Sequence, residues 1–161
     1  MNILDLKTIR QLMLNARTTW AELGTLLGLT PPAAADRVRR LEERGVIHGY
    51  TALIDPVAVG WEVLAFIDVT LEHPSVRVRF LKAVADLPQI QECHHIAGEH
   101  DYRLKVRCRS IRELESLISD CLKEVPGVAG SRTTIVLSTL KETPLLPFPD
   151  ENSEAHEGEQ R

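Results

Sequence analysis

Residues 19–50 read TWAELGTLLGLTPPAAADRVRRLEERGVIHGY, and this stretch decides how the first third of the chain folds. Thr19, or Thr18 before it, offers a hydroxyl that can cap a helix, and Glu22 completes a capping box with Thr19. Trp20, Leu23, Leu26 and Leu27 give that helix its apolar stripe. Gly28 suits a terminating position of positive φ, and Leu29 plugs the core at the turn. Thr30 then caps a second helix over residues 31–44. Pro31 sits where a backbone N–H would have no partner, and Pro32 falls within the same first turn. Ala34, Val38 and Leu41 share one face of this helix, while Ala33, Asp36 and Arg40 lie on the opposite one, with Arg37 at its flank. Gly45 ends the helix, and residues 46–54 read as a short β segment.

Upstream, Ile3, Leu6, Ile9, Leu12, Met13 and Leu14 recur at helical spacing, which predicts a first helix over about residues 5–15. Three helices with a tight turn before the third make a helix–turn–helix over residues 1–54. Asp55-Pro56 through Gly60 reads as a linker (residues 55–60). The period then changes. Residues 61–71 alternate Val63, Ala65, Ile67, Val69 and Leu71 against Leu64, Phe66, Asp68 and Thr70, the pattern of a strand. A helix opened by Pro74, a strand over 90–97, a turn at 98–101, a strand over 102–109, a helix capped by Ser110 and a strand over 132–140 follow. The order is βαββαβ, so residues 61–141 are expected to form a ferredoxin-like α+β domain. Two helices cover one sheet face; the other is only partly apolar and is expected to pair with a second copy of the chain.

Charge is distributed unevenly. Residues 1–60 carry seven Lys/Arg and six Asp/Glu, residues 61–140 carry ten and eleven, and residues 141–161 carry two and six. The acidity therefore sits in residues 142–161, a Pro-containing stretch expected to be a disordered tail. No apolar run approaches the ~20 residues that span a bilayer, and no signal-peptide core is visible, so no membrane partner and a cytoplasmic location are expected. Cys93, Cys108 and Cys121 are odd in number and lack a C-x-x-C spacing, which reads as reduced thiols.

The helix–turn–helix carries the main chemical signal. A capped, arginine-bearing second helix suits a DNA major groove, where Arg can pair bidentately with guanine. Asp36 on the outward face would repel phosphate, although a carboxylate can accept from cytosine N4. A reader of about +1 net charge holds DNA weakly alone, so linked copies are expected to supply affinity. Cys93, His94, His95 and His100 invite a metal site, but alternation along a strand places Cys93 and His95 on one face and His94 on the other, so no metal is expected. No phosphate-binding Gly-rich loop or Ser/His/Asp order stands out, and no cofactor or enzymatic activity is expected.

Three segments in order, LTPPAAADRVRRLEERGVIHGYTALIDPVAVG, CHHIAGEHDYRLKV and PGVAGSRTTIVLSTLK, resemble the Lrp/AsnC family of feast/famine transcription regulators, over about residues 2–141. The resemblance implies a winged helix–turn–helix followed by a ligand-sensing RAM domain, assembly into dimers and higher oligomers, and an amino acid or related metabolite bound between sensing domains. Carried over by position, Thr30, Pro32, Ala33, Asp36, Arg37 and Arg40 would lie nearest double-stranded DNA. The effector region would be the turn Gly98, Glu99, His100 and Asp101 with the strand Thr133, Thr134, Ile135 and Val136. There, turn N–H groups could bind a carboxylate and Asp101 could balance an ammonium, or Asp101 could bond nearby backbone. Gly98 reads as a conformational rather than a ligand-selecting residue. The resemblance also extends to siroheme decarboxylases, whose His and Arg could be mimicked by His94, His95, His100 and Arg103. A third alternative is a co-regulator that acts through hetero-oligomers with little DNA affinity of its own.

Overall fold

A computed structural model of the protein describes residues 1–148. The chain divides into two compact units, Met1–Ala52 together with residues 142–148, and Leu53–Lys141.

The first unit holds helices α1 (Ile3–Leu14), α2 (Trp20–Leu27) and α3 (Pro31–Glu43). Each begins on a side-chain cap. Asn2 accepts the Asp5 N–H at 2.9 Å and Asp5 accepts the Asn2 N–H at 3.1 Å, a capping box. Thr19 and Glu22 form the same device on α2, and Thr30 accepts the Ala33 N–H on α3, with Pro31 and Pro32 in its first turn. α2 closes on Gly28, at φ 67°. Gly24, inside α2, answers a different demand: a Cβ there would stand 2.7 Å from the Leu29 carbonyl oxygen, so its missing side chain lets the turn fold back over the helix. Leu12, Leu23, Leu27, Ala34 and Val38 make the core, with Leu4, Leu29 and Ile47 packed against it.

Two sequence expectations change here. Trp20 and Leu26 are about half exposed, so the buried stripe of α2 is Leu23 and Leu27 with Gly24. An eight-residue helix packed on one side buries only the positions one turn apart that face its neighbour. The expected β segment over 46–54 is irregular backbone, because no strand among the described residues of this unit lies beside it to complete a ladder. Its Leu53 and Ile54 are 75% and 61% exposed.

The second unit contains β1 (Val63–Leu71), α4 (Arg77–Ala85), β2 (Ile90–His95), β3 (Tyr102–Cys108), α5 (Ile111–Ser116) and β4 (Val128–Ile135). β4 thus starts and stops earlier than the residues 132–140 expected of it. The sheet order is β2-β3-β1-β4 with every neighbouring pair antiparallel, the ferredoxin-like arrangement. Ala65, Ile67 and Val69 pair with Val106, Leu104 and Tyr102, and these six meet Phe80 and Val84 of α4 and Leu114 of α5 in the core. Fully burying a side chain such as Phe80 or Leu104 stabilises the fold by about 1.5–3 kcal/mol. The opposite face has no covering layer within the unit. Across its four strands run His94, Arg103, Asp68 and Arg132, in register.

The acidic stretch is only partly visible. Residues 142–148 belong with the first unit, whereas 149–161, on which most of the expected disorder fell, lie outside the described residues. Among the described residues no helix is long and apolar enough to cross a membrane.

Candidate nucleic-acid interface and effector turn

The first turn of α3 stands clear of the core. Thr30, Pro31, Pro32 and Ala33 are exposed, and the cap and the two prolines fix their backbone without using outward-facing groups. Arg39, Arg40 and Arg44 follow along the helix with side chains 63%, 70% and 54% exposed. Asp36 sits among them. It accepts from Arg39 and from Arg40 Nη2 at 2.7 Å, and Arg39 also reaches Glu43 at 3.2 Å. The Arg39 guanidinium, ahead of the Arg40 charge, holds the Asp36 carboxyl below the usual carboxylate range. Asp36 is therefore a local anchor for two arginines. Such exposed pairs are weak and exchange readily for another anion.

Arg37 behaves differently. Its guanidinium donates to Asp5 and, at 3.1 Å, to Asn2 Oδ1, and its side chain is 22% exposed. Asp5, with a side chain only 10% exposed, also has Arg44 Nη1 at 3.9 Å. The Asn2 backbone N–H, followed by Arg37, lowers the Asp5 carboxyl despite the opposing effect of burial. Arg37 thus ties α3 to the start of α1 in place of pointing outward. The signal was a charge pair 32 residues apart, which no local pattern reveals.

In the second unit the turn 98–101 is held at one end of β1. Asp101 N–H donates to the Val69 carbonyl at 3.0 Å, its own carbonyl accepts from Ile96 N–H, and its Oδ2 accepts the Leu71 N–H at 2.7 Å. That last bond fills the irregularity between Thr70 and Leu71, where β1 slips against β4. Asp101 is a backbone clamp. His100 Nδ1 meets Thr70 Oγ1 at 2.9 Å, while its buried Nε2 has no hydrogen-bond partner among the described residues. Gly98 has no positive φ and a Cβ there would meet nothing within 4 Å, so the conformational reading of this glycine is overturned. Glu99 is exposed.

Thr133, Thr134 and Ile135 pair with Ile67, Phe66 and Ala65, and Val136 N–H donates to Leu64 at 2.9 Å. They lie farther down β1 than the turn, which touches Val69–Leu71, by roughly 10 Å at ~3.3 Å per residue. The two halves of the expected effector region do not meet within one chain.

The remaining histidines do not converge. His94 bonds Glu92 at 3.0 Å on the uncovered face, and His95 stacks on Tyr102 on the helix side. Arg103 is committed to Asp68 through Nε at 2.7 Å and Nη2 at 3.0 Å, and its guanidinium lowers the Asp68 carboxyl. Among the described residues no group of three His, Cys, Asp or Glu is placed to hold a metal. Burial pushes the Cys108 thiol up to about 11 and raises that of Cys93, so both are protonated packing groups.

Two family models match the chain: a winged helix-turn-helix DNA-binding model over residues 1–48 and the Lrp/AsnC ligand binding domain over residues 64–146. The chain is 37% identical over 142 residues to the leucine-responsive regulatory protein of Escherichia coli, covering 87% of each chain. It is 35% identical over 148 residues to that of Haemophilus influenzae, covering 91% of this chain and 89% of the relative. Among solved structures, a Neisseria meningitidis transcriptional regulator in complex with L-Met superposes with a TM-score of 0.86 at 29% identity, covering 91% of this chain and 96% of the other. A feast or famine regulatory protein of Mycobacterium tuberculosis complexed with L-methionine gives 0.82 at 36% identity, covering 89% and 96%. With a capped reading helix in one unit, a ferredoxin-like sheet in the other and these likenesses spanning both, the chain belongs to the Lrp/AsnC family of transcription regulators.

Proposed function

We propose that this regulator reads its operator with the first turn of α3 and with Arg40, and that a small amino acid adjusts the binding. The observation that carries the reading is the exposed, doubly proline-braced turn Thr30–Ala33 followed by outward arginines. Arg37 serves that surface indirectly, by fixing the attitude of α3 on α1. Asp36 sets the resting positions of Arg39 and Arg40, which transfer to phosphate or a base edge on docking.

The effector reading rests on the turn and on two relatives solved with methionine. Since the turn 98–101 and residues 133–136 are apart within one chain, a site using both takes the turn from one copy and the strand from another. That arrangement makes effector binding and assembly one equilibrium. The uncovered sheet face, with Phe66 half-buried beside the Asp68–Arg103 pair, is the surface on which copies pair. Within the turn, Gly98 and Glu99 are available to a ligand, whereas Asp101 holds the turn in shape.

The test is a DNA-binding titration on the promoter fragment of the protein's own gene, with each of the common amino acids in turn. At least one is expected to shift the midpoint severalfold. A set of superimposable curves would contradict an amino-acid effector, and no binding to any promoter fragment would contradict the reader.

A further inference from the structure

We infer that Asp36 and Arg40 act as one unit that selects a C·G base pair in the major groove, Asp36 accepting from cytosine N4 and Arg40 donating to guanine O6 and N7. The inference rests on the DNA-reading role proposed above.

Three observations lead to it. First, Asp36 and Arg40 share with Ala33 the face of α3 that continues the exposed turn Thr30–Ala33, opposite the buried Ala34, Val38 and Leu41. Second, they are held together there. Arg40 Nη2 stands 2.7 Å from Asp36 Oδ2, while Arg39 takes Oδ1. Helical side chains lean toward the N-terminus, so the Arg40 guanidinium is carried back to the level of Asp36, about 9 Å along the axis from Thr30. The N-terminal part of a recognition helix is the part that meets base edges. Third, the contact exhausts neither group. A carboxylate oxygen accepts more than one N–H, and each terminal guanidinium nitrogen carries a second, so Oδ2 and Nη2 keep capacity for a base edge. Arg39, ahead of the Arg40 charge, holds the Asp36 carboxyl below its ordinary range, which keeps it an ionised acceptor at neutral pH.

Chemistry then picks the base pair. Asp36 and Arg40 present an acceptor beside a donor, 2.7 Å apart. The complementary edge is a donor beside an acceptor at hydrogen-bond separation, which in the major groove is the exocyclic amine of one base beside the carbonyl oxygen of its partner. C·G and A·T both offer this, and their next atoms separate them. Beyond guanine O6 lies N7, a second acceptor for the Arg40 fork, and beyond cytosine N4 lies only C5–H. Beyond thymine O4 lies a methyl group, and beyond adenine N6 lies N7, an acceptor turned toward the carboxylate. The reversed pair, G·C, sets an acceptor against Asp36 and the amine against Arg40. Phosphates repel Asp36 as well. On DNA that lacks the C·G pair the carboxylate therefore weakens binding, and at the operator it does not.

The experiment selects duplexes from a random-core library with the full-length protein as wild type, Asp36→Asn and Asp36→Ala, and sequences what each retains. Wild type is expected to enrich a C·G pair at a fixed position, and its replacement by A·T or G·C to weaken wild-type binding about tenfold. Asp36→Asn is expected to move that position to A·T, because an amide reads adenine N6 and N7 together, and Asp36→Ala to lose the preference. Both variants should bind unselected duplex at least as tightly as wild type, since each sheds a carboxylate, and that binding also reports a folded reader. Wild-type sequences without a fixed C·G pair, a C·G position kept by both variants, or weaker binding of unselected duplex by the variants would each overturn the inference while leaving the reader intact. If wild type binds no duplex, the reading role fails first, and the inference falls with it.

Discussion

Arg37 and Arg40 stand three residues apart on α3 and were expected to share one task, yet their surroundings separate them. Arg40 projects a 70% exposed side chain held by Asp36, whereas Arg37 is folded against the nearly buried carboxylate of Asp5. Arg37→Ala is therefore expected to act on stability. It strands Asp5 with reduced compensation, at a cost of about 1–3 kcal/mol, measurable by urea denaturation. The same pair predicts a pH signature. Asp5 and Asp68 both titrate below their ordinary value in the folded protein, so the unfolded chain takes up protons first as pH falls. Their stabilising contribution is complete above about pH 5, starts to fade as pH approaches the unfolded value of ~3.9, and is gone below the folded pKa values. Asp5→Asn and Asp68→Asn are expected to lower stability at neutral pH and to flatten its loss between about pH 5 and 3. Denaturation curves parallel to wild type across that range would contradict the assignment.

At the scale of the element, caps and turns decide what is exposed. Thr30→Ala removes the acceptor for the Ala33 N–H and is expected to cost about 1 kcal/mol while loosening the turn proposed to meet DNA. In the sensing unit, Gly98 and Asp101 separate in the same manner as the two arginines. Gly98→Ala introduces a Cβ that meets nothing within 4 Å, so thermal stability should be unchanged while effector affinity shifts. Asp101→Ala removes the acceptor for Leu71 N–H and should lower both stability and effector response. A Gly98→Ala protein that lost stability, or an Asp101→Ala protein that kept it, would reverse these roles.

Two helix starts were legible in the sequence because a cap is a relation among neighbours: Thr19 with Glu22 and Thr30 with Ala33 each span three residues, whereas α1 starts on the Asn2 cap, ahead of the residue 5 expected of it. The βαββαβ order was legible for a similar reason, since strand alternation is local. What could not be read was long-range. The engagement of Arg37 with Asp5, the clamp from Asp101 to Leu71 and the offset between residues 98–101 and 133–136 depend on how distant segments meet. The segment 46–54 fails as a strand for want of a neighbouring strand among the described residues of its unit, a deficit that no periodicity records.

At the scale of the whole molecule, two incomplete surfaces set the behaviour. The reader carries too little charge to hold DNA firmly alone, and the sheet leaves one face without a covering layer within its own unit. The proposed pairing of copies through that face would answer both, because linked readers bind by effective concentration. Phe66→Glu places a charge on the uncovered face and is expected to reduce the molar mass seen by light scattering while leaving the far-ultraviolet circular dichroism unchanged. An oligomer of wild-type mass would contradict pairing through this face. DNA affinity should fall with the mass.

The most direct measurement of the central claim is the affinity of wild type and of Arg40→Ala for the promoter fragment of the protein's own gene, with sedimentation recorded on the same samples. The expected result is binding weaker by about tenfold for Arg40→Ala with an unchanged assembly. Equal affinities for the two proteins would contradict the reading of DNA by this face of α3.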